Sequence, residues 1–206
     1  MVPGVVLAGG ASSRMGGRPK ALLRAGSDQE TFLERIVSTL LSGGVDDVVV
    51  VTGYHDDVIK RVVDRMSKPV RLVQNPSPEL GQLSSLLVAL KAIDHPGVRA
   101  MLVTLVDLPL LSAHTVRALL EAYRRNRSMI VRPVRAGQHG HPVIFDRALF
   151  KALREARPQY GAKPVVRDHL DESIEVEVDD EGAFLDVDTP ADYERMFGGP
   201  PLALDD

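Results

Sequence analysis

Short, continuous apolar runs alternate with amphipathic segments through the first 125 residues of the chain. Runs without polar residues are typical of strands that are buried on both faces of a sheet. Residues 5–8 and 48–51 are such runs, residues 101–106 are interrupted only by Thr104, and residues 70–73, which contain Arg71, predict a further strand. The segments between them repeat apolar residues at helical spacing, and Thr31 with Glu34 forms a capping box at the start of the first of these helices. This alternation predicts an α/β fold with a mostly parallel sheet.

The pattern changes beyond residue 125. Residues 129–134 and 142–145 predict shorter strands, and the alternating residues 174–178 predict an exposed or edge strand. No stretch is long enough to be a linker between domains. We therefore expect one domain over residues 1–197, followed by a flexible tail over 198–206.

Composition excludes several classes of function. The chain has 25 basic and 28 acidic residues, and a net charge of −3 does not attract nucleic acid or an anionic membrane. It has no cysteine, which excludes disulfides, thiolate catalysis and cysteine-ligated metal sites. No secretion signal and no apolar run of about 20 residues is present, so the cytoplasm is the expected location.

A glycine-rich basic loop follows the first predicted strand. It runs from Gly9 to Lys20, and Arg14, Arg18 and Lys20 give it three positive charges. Loops at the carboxyl ends of strands in an open α/β sheet hold ligands, and glycines let backbone N–H groups approach phosphate oxygens. The loop therefore predicts a polyanionic ligand, although a solvated surface loop has a similar composition.

Two common phosphate loops do not fit this sequence. A Walker loop ends in Gly-Lys followed by Ser or Thr, whereas here Pro19 precedes Lys20 and Ala21 follows it. A dinucleotide fingerprint needs an acidic residue at the end of the second strand, but that strand ends in Thr52 and Gly53. Neither motif therefore fits the loop.

Two acidic segments are candidates for binding a metal ion. Asp107 ends the most apolar run, and because Ser112 is better placed to cap the next helix, Asp107 stays available for function. Thr189 caps a helix that begins at Pro190, which leaves Asp188 free, and Asp186 and Asp188 are expected to share one strand face. Carboxylates beside a phosphate loop suit a hard cation such as Mg²⁺.

Weaker signals come from the middle of the chain. Residues 81–85 open a helix after a loop, which is either ordinary capping or a place for the base and ribose of a nucleotide. His139 and His141 flank Gly140 in a turn and have no nucleophile partner, so a structural role is favoured over contact with a substrate.

Together, these segments resemble the MobA/MocA-like nucleotidyltransferases, which attach a nucleotide to the molybdenum cofactor. The resemblance covers nearly the whole chain. It rests on residues 7–16 with Lys20, 81–86, 107–109, 140–145 and 186–193.

The resemblance implies a Rossmann-like three-layer α/β/α sandwich of the nucleotidyltransferase type, with a mostly parallel mixed sheet. It implies catalysis by Lys20, Arg14 and Asp107, with Mg²⁺ held by Asp107 and Asp188. The implied nucleotide-binding residues are Leu7, Ala8, Gly9, Gly10, Ala11, Ser12, Ser13, Arg14, Met15, Gly16, Lys20, Asn75, Gly81, Gln82, Ser84, Ser85 and Asp107. The residues expected to contact the acceptor are His139, His141 and Asp186.

Residues 140–145 and 186–193 look closer to the cytidylyl branch of the family, which forms molybdopterin cytosine dinucleotide. Gly9 instead matches the guanylyl branch, because the cytidylyl branch usually has alanine there. We expect transfer of CMP in preference to GMP to molybdopterin, with transient contact to a molybdoenzyme or its chaperone. A sugar-phosphate or polyol-phosphate acceptor and a nucleotide-binding regulator without catalysis are alternatives; a hydride-transferring oxidoreductase is disfavoured by the missing fingerprint.

Overall fold

The structure is a computed structural model that describes residues 1–26 and 30–202. Strands and helices alternate as the apolar runs predict. In chain order they are β1 (Gly4–Leu7), α1 (Phe32–Gly43), β2 (Val48–Thr52), α2 (Asp56–Arg65), β3 (Val70–Gln74), α3 (Gln82–Ile93), β4 (Ala100–Leu105), α4 (Ala113–Asn126), β5 (Ile130–Arg135), β6 (Gln138–His139), β7 (Val143–Asp146), α5 (Phe150–Glu155), α6 (Lys163–Asp168), β8 (Ser173–Glu177) and α7 (Pro190–Phe197).

All strands of the described residues belong to one sheet with the order β3-β2-β1-β4-β7-β5-β6, and β8 pairs with β5. The first four strands are mutually parallel, whereas β7 runs antiparallel between β4 and β5. The sheet is therefore mixed and mostly parallel, as expected. Because β1 and β4 are central neighbours, the loops after these two strands meet at one edge.

Two apolar cores cover the two faces of the sheet. On one face, α1, α2 and α4 pack on alternate residues of the strands, such as Val6 and Leu102. On the other face, α3 and α5 pack on the intervening residues, such as Val5 and Met101. The result is the three-layer sandwich that the family resemblance implies, and both faces of β1 and β4 are buried, as their apolar runs predict.

The predicted helix starts are confirmed. Thr31 and Glu34 form the capping box of α1, Ser112 caps α4, and Thr189 caps α7 together with Asp192. The predicted strand around Asp186, however, is wrong: residues 185–188 form an irregular segment. Its conformation is set by docking rather than by strand pairing with a neighbour, as described below.

A third, smaller core joins the first loop to the end of the chain. This core packs residues of the first loop and of the segment after it against α7 and the segment before α7. Its members are Met15, Leu23, Ala25, Phe32, Val187 and Tyr193. Beyond α7, the Leu202 carbonyl accepts a hydrogen bond from the Arg24 N–H at 2.7 Å, and Pro201 accepts one from Arg18. Residues 203–206 of the predicted tail lie outside the described residues. That residues 198–206 form a flexible tail separate from the domain stays a prediction.

Candidate active site

The glycine-rich loop begins where β1 ends, at the edge that carries the carboxyl ends of the parallel strands. Ser12 has φ +50° and lies in a short turn, and its hydroxyl accepts a hydrogen bond from the Lys20 N–H at 3.2 Å. Within the described residues, the exposed N–H groups of Gly10 and Ala11 make no hydrogen bond. Unpaired backbone donors in such a loop suit phosphate oxygens.

Lys20 lies between two carboxylates. Its ammonium Nζ donates to Asp107 Oδ2 at 2.9 Å and to Asp188 Oδ1 at 2.5 Å, and Arg14 pairs with the other oxygen of Asp188. The side chains of Lys20, Asp107 and Asp188 are 13%, 19% and 34% exposed, whereas Arg14 is 69% exposed. The structure thus brings together four of the charged residues that the sequence singled out.

Backbone contacts fix these side chains relative to one another. Asp107 follows β4 directly, and its carbonyl accepts a hydrogen bond from the N–H of Val187 at 2.9 Å. Val187 is fully buried, so the segment before α7 is anchored beside Asp107 and presents Asp188 to the same cleft. This docking explains why residues 185–188 are not a strand.

The charges in the cluster shift one another's titration. Burial alone lowers the pKa of Lys20, but the charges and hydrogen bonds of Asp107 and Asp188 outweigh it, so that the pKa is raised above its usual value. The hydrogen bond from Lys20 lowers the pKa of Asp188. At neutral pH Lys20 and Asp188 are therefore both charged and form an ion pair.

The two carboxylates fit a divalent cation. They flank one cationic position, now taken by the Lys20 ammonium, and Asp107 Oδ1 is buried without a hydrogen-bond partner among the described residues. A buried carboxylate oxygen without a donor is a natural ligand for Mg²⁺. No group of three or more His, Cys, Asp and Glu side chains converges within residues 1–26 and 30–202, so the remaining ligands would be water and substrate oxygens, as is usual for Mg²⁺.

The loop and the charged cluster line a single cleft of about 450 Å³. Most of the residues expected to bind nucleotide line it: Leu7, Ala8, Gly9, Gly10, Ala11, Ser12, Ser13, Arg14, Lys20, Gly81, Gln82, Ser85 and Asp107. The lining residues that the sequence reasoning missed include Tyr54, His55, Pro78 and Glu79. Since they follow β2 and β3, the rule that placed ligands at the strands' carboxyl ends would have found them.

Four of the expected nucleotide-binding residues do not line the cleft. Met15 is buried in the third core, and Gly16, with φ +65°, ends the turn that follows Ser12. Asn75 is buried and donates to the hydroxyls of Ser84 and Ser85 at 2.7 and 3.0 Å. These contacts hold the start of α3 beside the cleft, and direct contact of these residues with nucleotide stays a prediction.

The three residues expected to contact the acceptor do not line the cleft either. His139 is exposed and its Nε2 lies 2.7 Å from Glu175, while Asp186 is exposed. Burial lowers the pKa of His141, whose Nδ1 is buried without a partner among the described residues. A hydrogen bond with the Val103 backbone and the nearby charges of Asp107 and Asp186 partly oppose that lowering of the His141 pKa.

The sequence pattern of the MobA-like NTP transferase domain matches residues 4–174. The chain belongs to this family. It is therefore a nucleotidyltransferase of the MobA-like type. Within the described residues, no helix of this MobA-like chain has the length and apolar character needed to cross a bilayer.

Individual relatives of this MobA-like chain carry different names. "Nicotine blue oxidoreductase" from Paenarthrobacter nicotinovorans is 34% identical and matches 95% of the chain and 96% of its own length. A "probable molybdenum cofactor guanylyltransferase" from Opitutus terrae is 38% identical over 63% of the chain and 59% of its own length.

Among solved structures, Rv0371c from Mycobacterium tuberculosis has a TM-score of 0.80 at 28% identity, with 96% of this chain and 97% of that chain covered. A structure of Rv0371c titled as a complex with manganese has a TM-score of 0.75 at 25% identity, with 96% and 98% covered. These matches confirm the Rossmann-like fold of the nucleotidyltransferase type.

Proposed function

We propose that this MobA-like chain transfers a nucleoside monophosphate, CMP in preference to GMP, from its triphosphate to a molybdopterin-type acceptor that carries a phosphate group. The observation that carries the proposal is the meeting of the phosphate loop with Lys20, Asp107 and Asp188 in one cleft. Relatives named molybdenum cofactor guanylyltransferase support the acceptor class.

The proposed step is an in-line displacement at phosphorus. An oxygen of the acceptor's phosphate forms a bond to the α-phosphorus, and the bond from that phosphorus to the β-phosphate oxygen breaks, which releases pyrophosphate. A phosphate monoester is largely dianionic at pH 7 because its second pKa is about 6, so the nucleophile needs no general base. This agrees with the state of His55, which lines the cleft but whose Nε2 has no hydrogen-bond partner, and so no paired nucleophile, among the described residues.

The protein's contribution in this scheme is positioning and neutralisation of charge. The N–H groups of Gly10 and Ala11 bind phosphate oxygens, and Lys20 and Arg14 offset the charge that builds up on pyrophosphate. Asp107 and Asp188 would hold Mg²⁺, which when bound supplies further neutralisation of the phosphates. The manganese complex of Rv0371c supports a divalent cation in this family without identifying which one this chain uses.

The preference for CMP rests on residues 140–145 and 186–193, which look like the cytidylyl branch. GTP is the competing donor, and two observations favour it. Gly9 matches the guanylyl branch. The alanine that the cytidylyl branch usually has at this position would place a Cβ only 3.1 Å from Ser85 Oγ. Glu79 lines the cleft, and a carboxylate can accept hydrogen bonds from the edge of guanine.

The nicotine blue oxidoreductase relative raises hydride transfer as a second candidate. The structure offers little for a dinucleotide cofactor, because β2 ends at Thr52 and leads into Gly53, Tyr54 and His55, none of which is the acidic residue that holds the ribose in dinucleotide sites. Oxidation of NADH or NADPH with a quinoid dye as acceptor tests this activity directly.

The deciding experiment measures pyrophosphate release by the purified chain with CTP or GTP and Mg²⁺. The acceptors are molybdopterin, molybdenum cofactor, and a panel of sugar and polyol phosphates, and mass spectrometry identifies the dinucleotide product. We expect release with CTP and molybdenum cofactor. Release with GTP alone would show that the donor is GTP and not CTP, and release with a sugar phosphate would replace molybdopterin as the acceptor. If no condition gives release while nucleotide binding is intact, the result would favour a nucleotide-binding regulator and refute the proposal.

A further inference from the structure

The position of the Lys20 ammonium bears on how the site takes up its metal. It lies where a cation shared by Asp107 and Asp188 belongs, within hydrogen-bond distance of both. Its side chain is only 13% exposed, so few solvent contacts compete with this pair of carboxylates. An ammonium and a divalent cation cannot share this position, because they occupy the same space and repel each other.

The chain around Lys20 allows the ammonium to move while the backbone stays in place. The Lys20 N–H is bound to Ser12 Oγ, and Lys20 opens a short turn whose other residues, Ala21 and Leu22, are buried. Four methylene groups separate this fixed backbone from Nζ. Nζ can therefore leave the carboxylates by rotation of its side chain alone, without unfolding the loop.

A bound triphosphate gives the ammonium another place to go. Gly10 and Ala11 of the phosphate loop and Lys20 line the same cleft, so phosphates bound by the loop compete with Asp107 and Asp188 for Nζ. Arg14, which is 69% exposed and pairs with Asp188 from the solvent side, is drawn to the phosphates by the same attraction. Nucleotide binding thus removes the cation that blocks the metal position.

We propose that Lys20 is an internal competitor for the divalent cation: it occupies the position between Asp107 and Asp188 in the nucleotide-free chain and releases it when a triphosphate binds. This proposal rests on the metal site of the proposed function. Coupling between two ligands is reciprocal, so the metal position and the triphosphate position each favour occupation of the other. The chain would therefore bind little free metal before nucleotide arrives.

The test measures binding of Mn²⁺ to the whole chain without nucleotide. The readout is the electron paramagnetic resonance signal of free Mn²⁺, which decreases as Mn²⁺ binds. Lys20→Met removes the charge and keeps most of the side chain, and we expect it to bind Mn²⁺ roughly 5- to 150-fold more tightly than the wild type, the usual range for coupled sites. Lys20→Arg retains a cation and should bind as weakly as the wild type. Circular dichroism and thermal melting check that each variant is folded.

Arg14→Met is the matched control, because it removes one positive charge from the same Asp188 without vacating the shared position. An exposed ion pair is weak, so this variant should gain less than about fivefold in Mn²⁺ affinity. An equal gain in both variants would mean that net charge alone, and not occupation by Lys20, controls the metal, and would overturn the proposal.

A double variant separates this proposal from the proposed function. If Lys20→Met binds Mn²⁺ tightly and the addition of Asp107→Asn abolishes that binding, the ion is located at the carboxylates and Lys20 competes with it. If Lys20→Met binds no more tightly than the wild type, Lys20 is not a competitor, whereas nucleotidyl transfer by the wild type still stands on its own assay. Absence of Mn²⁺ binding in every variant would likewise overturn the competition.

Discussion

Gly53 connects the loop after β2 with the phosphate loop, and the substitution Gly53→Ala tests that connection. A Cβ at Gly53 would lie 2.5 Å from the Gly9 carbonyl oxygen and 2.8 Å from Pro78 Cβ. Since ordinary carbon contacts begin near 3.5 Å, the carbonyl oxygen must move by about 1 Å and Pro78 Cβ by about 0.7 Å. The carbonyl belongs to the phosphate loop, so the strain falls on the part of the site that is proposed to hold the nucleotide.

Overpacking of this kind costs about 1–3 kcal/mol of unfolding free energy. For a chain of this size each kcal/mol shifts the melting temperature by about 2–4 °C, so Gly53→Ala should lower it by about 2–12 °C. Because displacement of a positioning element by about 1 Å can cost 10²-fold in rate, we also expect pyrophosphate release to fall by about that factor.

The measurements are a thermal melt, a urea titration and the pyrophosphate assay. Gly10→Ala is the control for stability. A Cβ at Gly10 would have nothing within 4 Å, so the melting temperature of this variant should not change. A Gly53→Ala variant that melts within about 1 °C of the wild type and keeps full activity would refute the reasoning, since it would mean that the two loops adjust freely.

Three further outcomes are expected. Asp107→Asn should abolish pyrophosphate release while the circular dichroism spectrum stays unchanged, and full activity would exclude Asp107 as a metal ligand. Hydrogen bonds from Thr189 hold the pKa of Asp192 at about 2. The contribution of this carboxylate to stability is therefore complete above about pH 4 and is lost as the pH falls through 2. Asp192→Asn should melt below the wild type at pH 7, and the two melting temperatures should converge near pH 2. Tyr123→Phe removes a buried hydroxyl that donates to Asp146 at 2.6 Å and should cost about 1–3 kcal/mol in a urea titration.

Much of the fold follows from the sequence because the strands are buried on both faces. β1 is wholly apolar, and β2 and β4 contain one polar residue each, Thr52 and Thr104, so their apolar runs stand out without any tertiary information. The helix starts were predictable for a similar reason: the capping side chain at Thr31 or Ser112 lies within three residues of the N–H that it satisfies.

The candidate site was predictable only in outline. The loop and the two acids could be found because strand order places the carboxyl ends of β1 and β4 side by side. The bridge that Lys20 makes between Asp107 and Asp188 depends on how far a flexible side chain reaches, which no sequence pattern records. The alternating pattern of the segment before α7 predicts a strand. The segment is irregular instead, because burial of Val187 and its hydrogen bond to Asp107 override strand propensity.

The ion pair between Lys20 and Asp188 spans 168 residues of chain. At a synthesis rate of about 5–20 residues per second, the phosphate loop emerges from the ribosome roughly 10–30 seconds before its last acidic partner. During that interval the growing chain has the phosphate loop without the carboxylate that completes the proposed site. Proteolysis between β8 and α7 would break the same covalent connection in the finished chain, and noncovalent contacts such as the hydrogen bond from Val187 to Asp107 would then have to keep Asp188 in place.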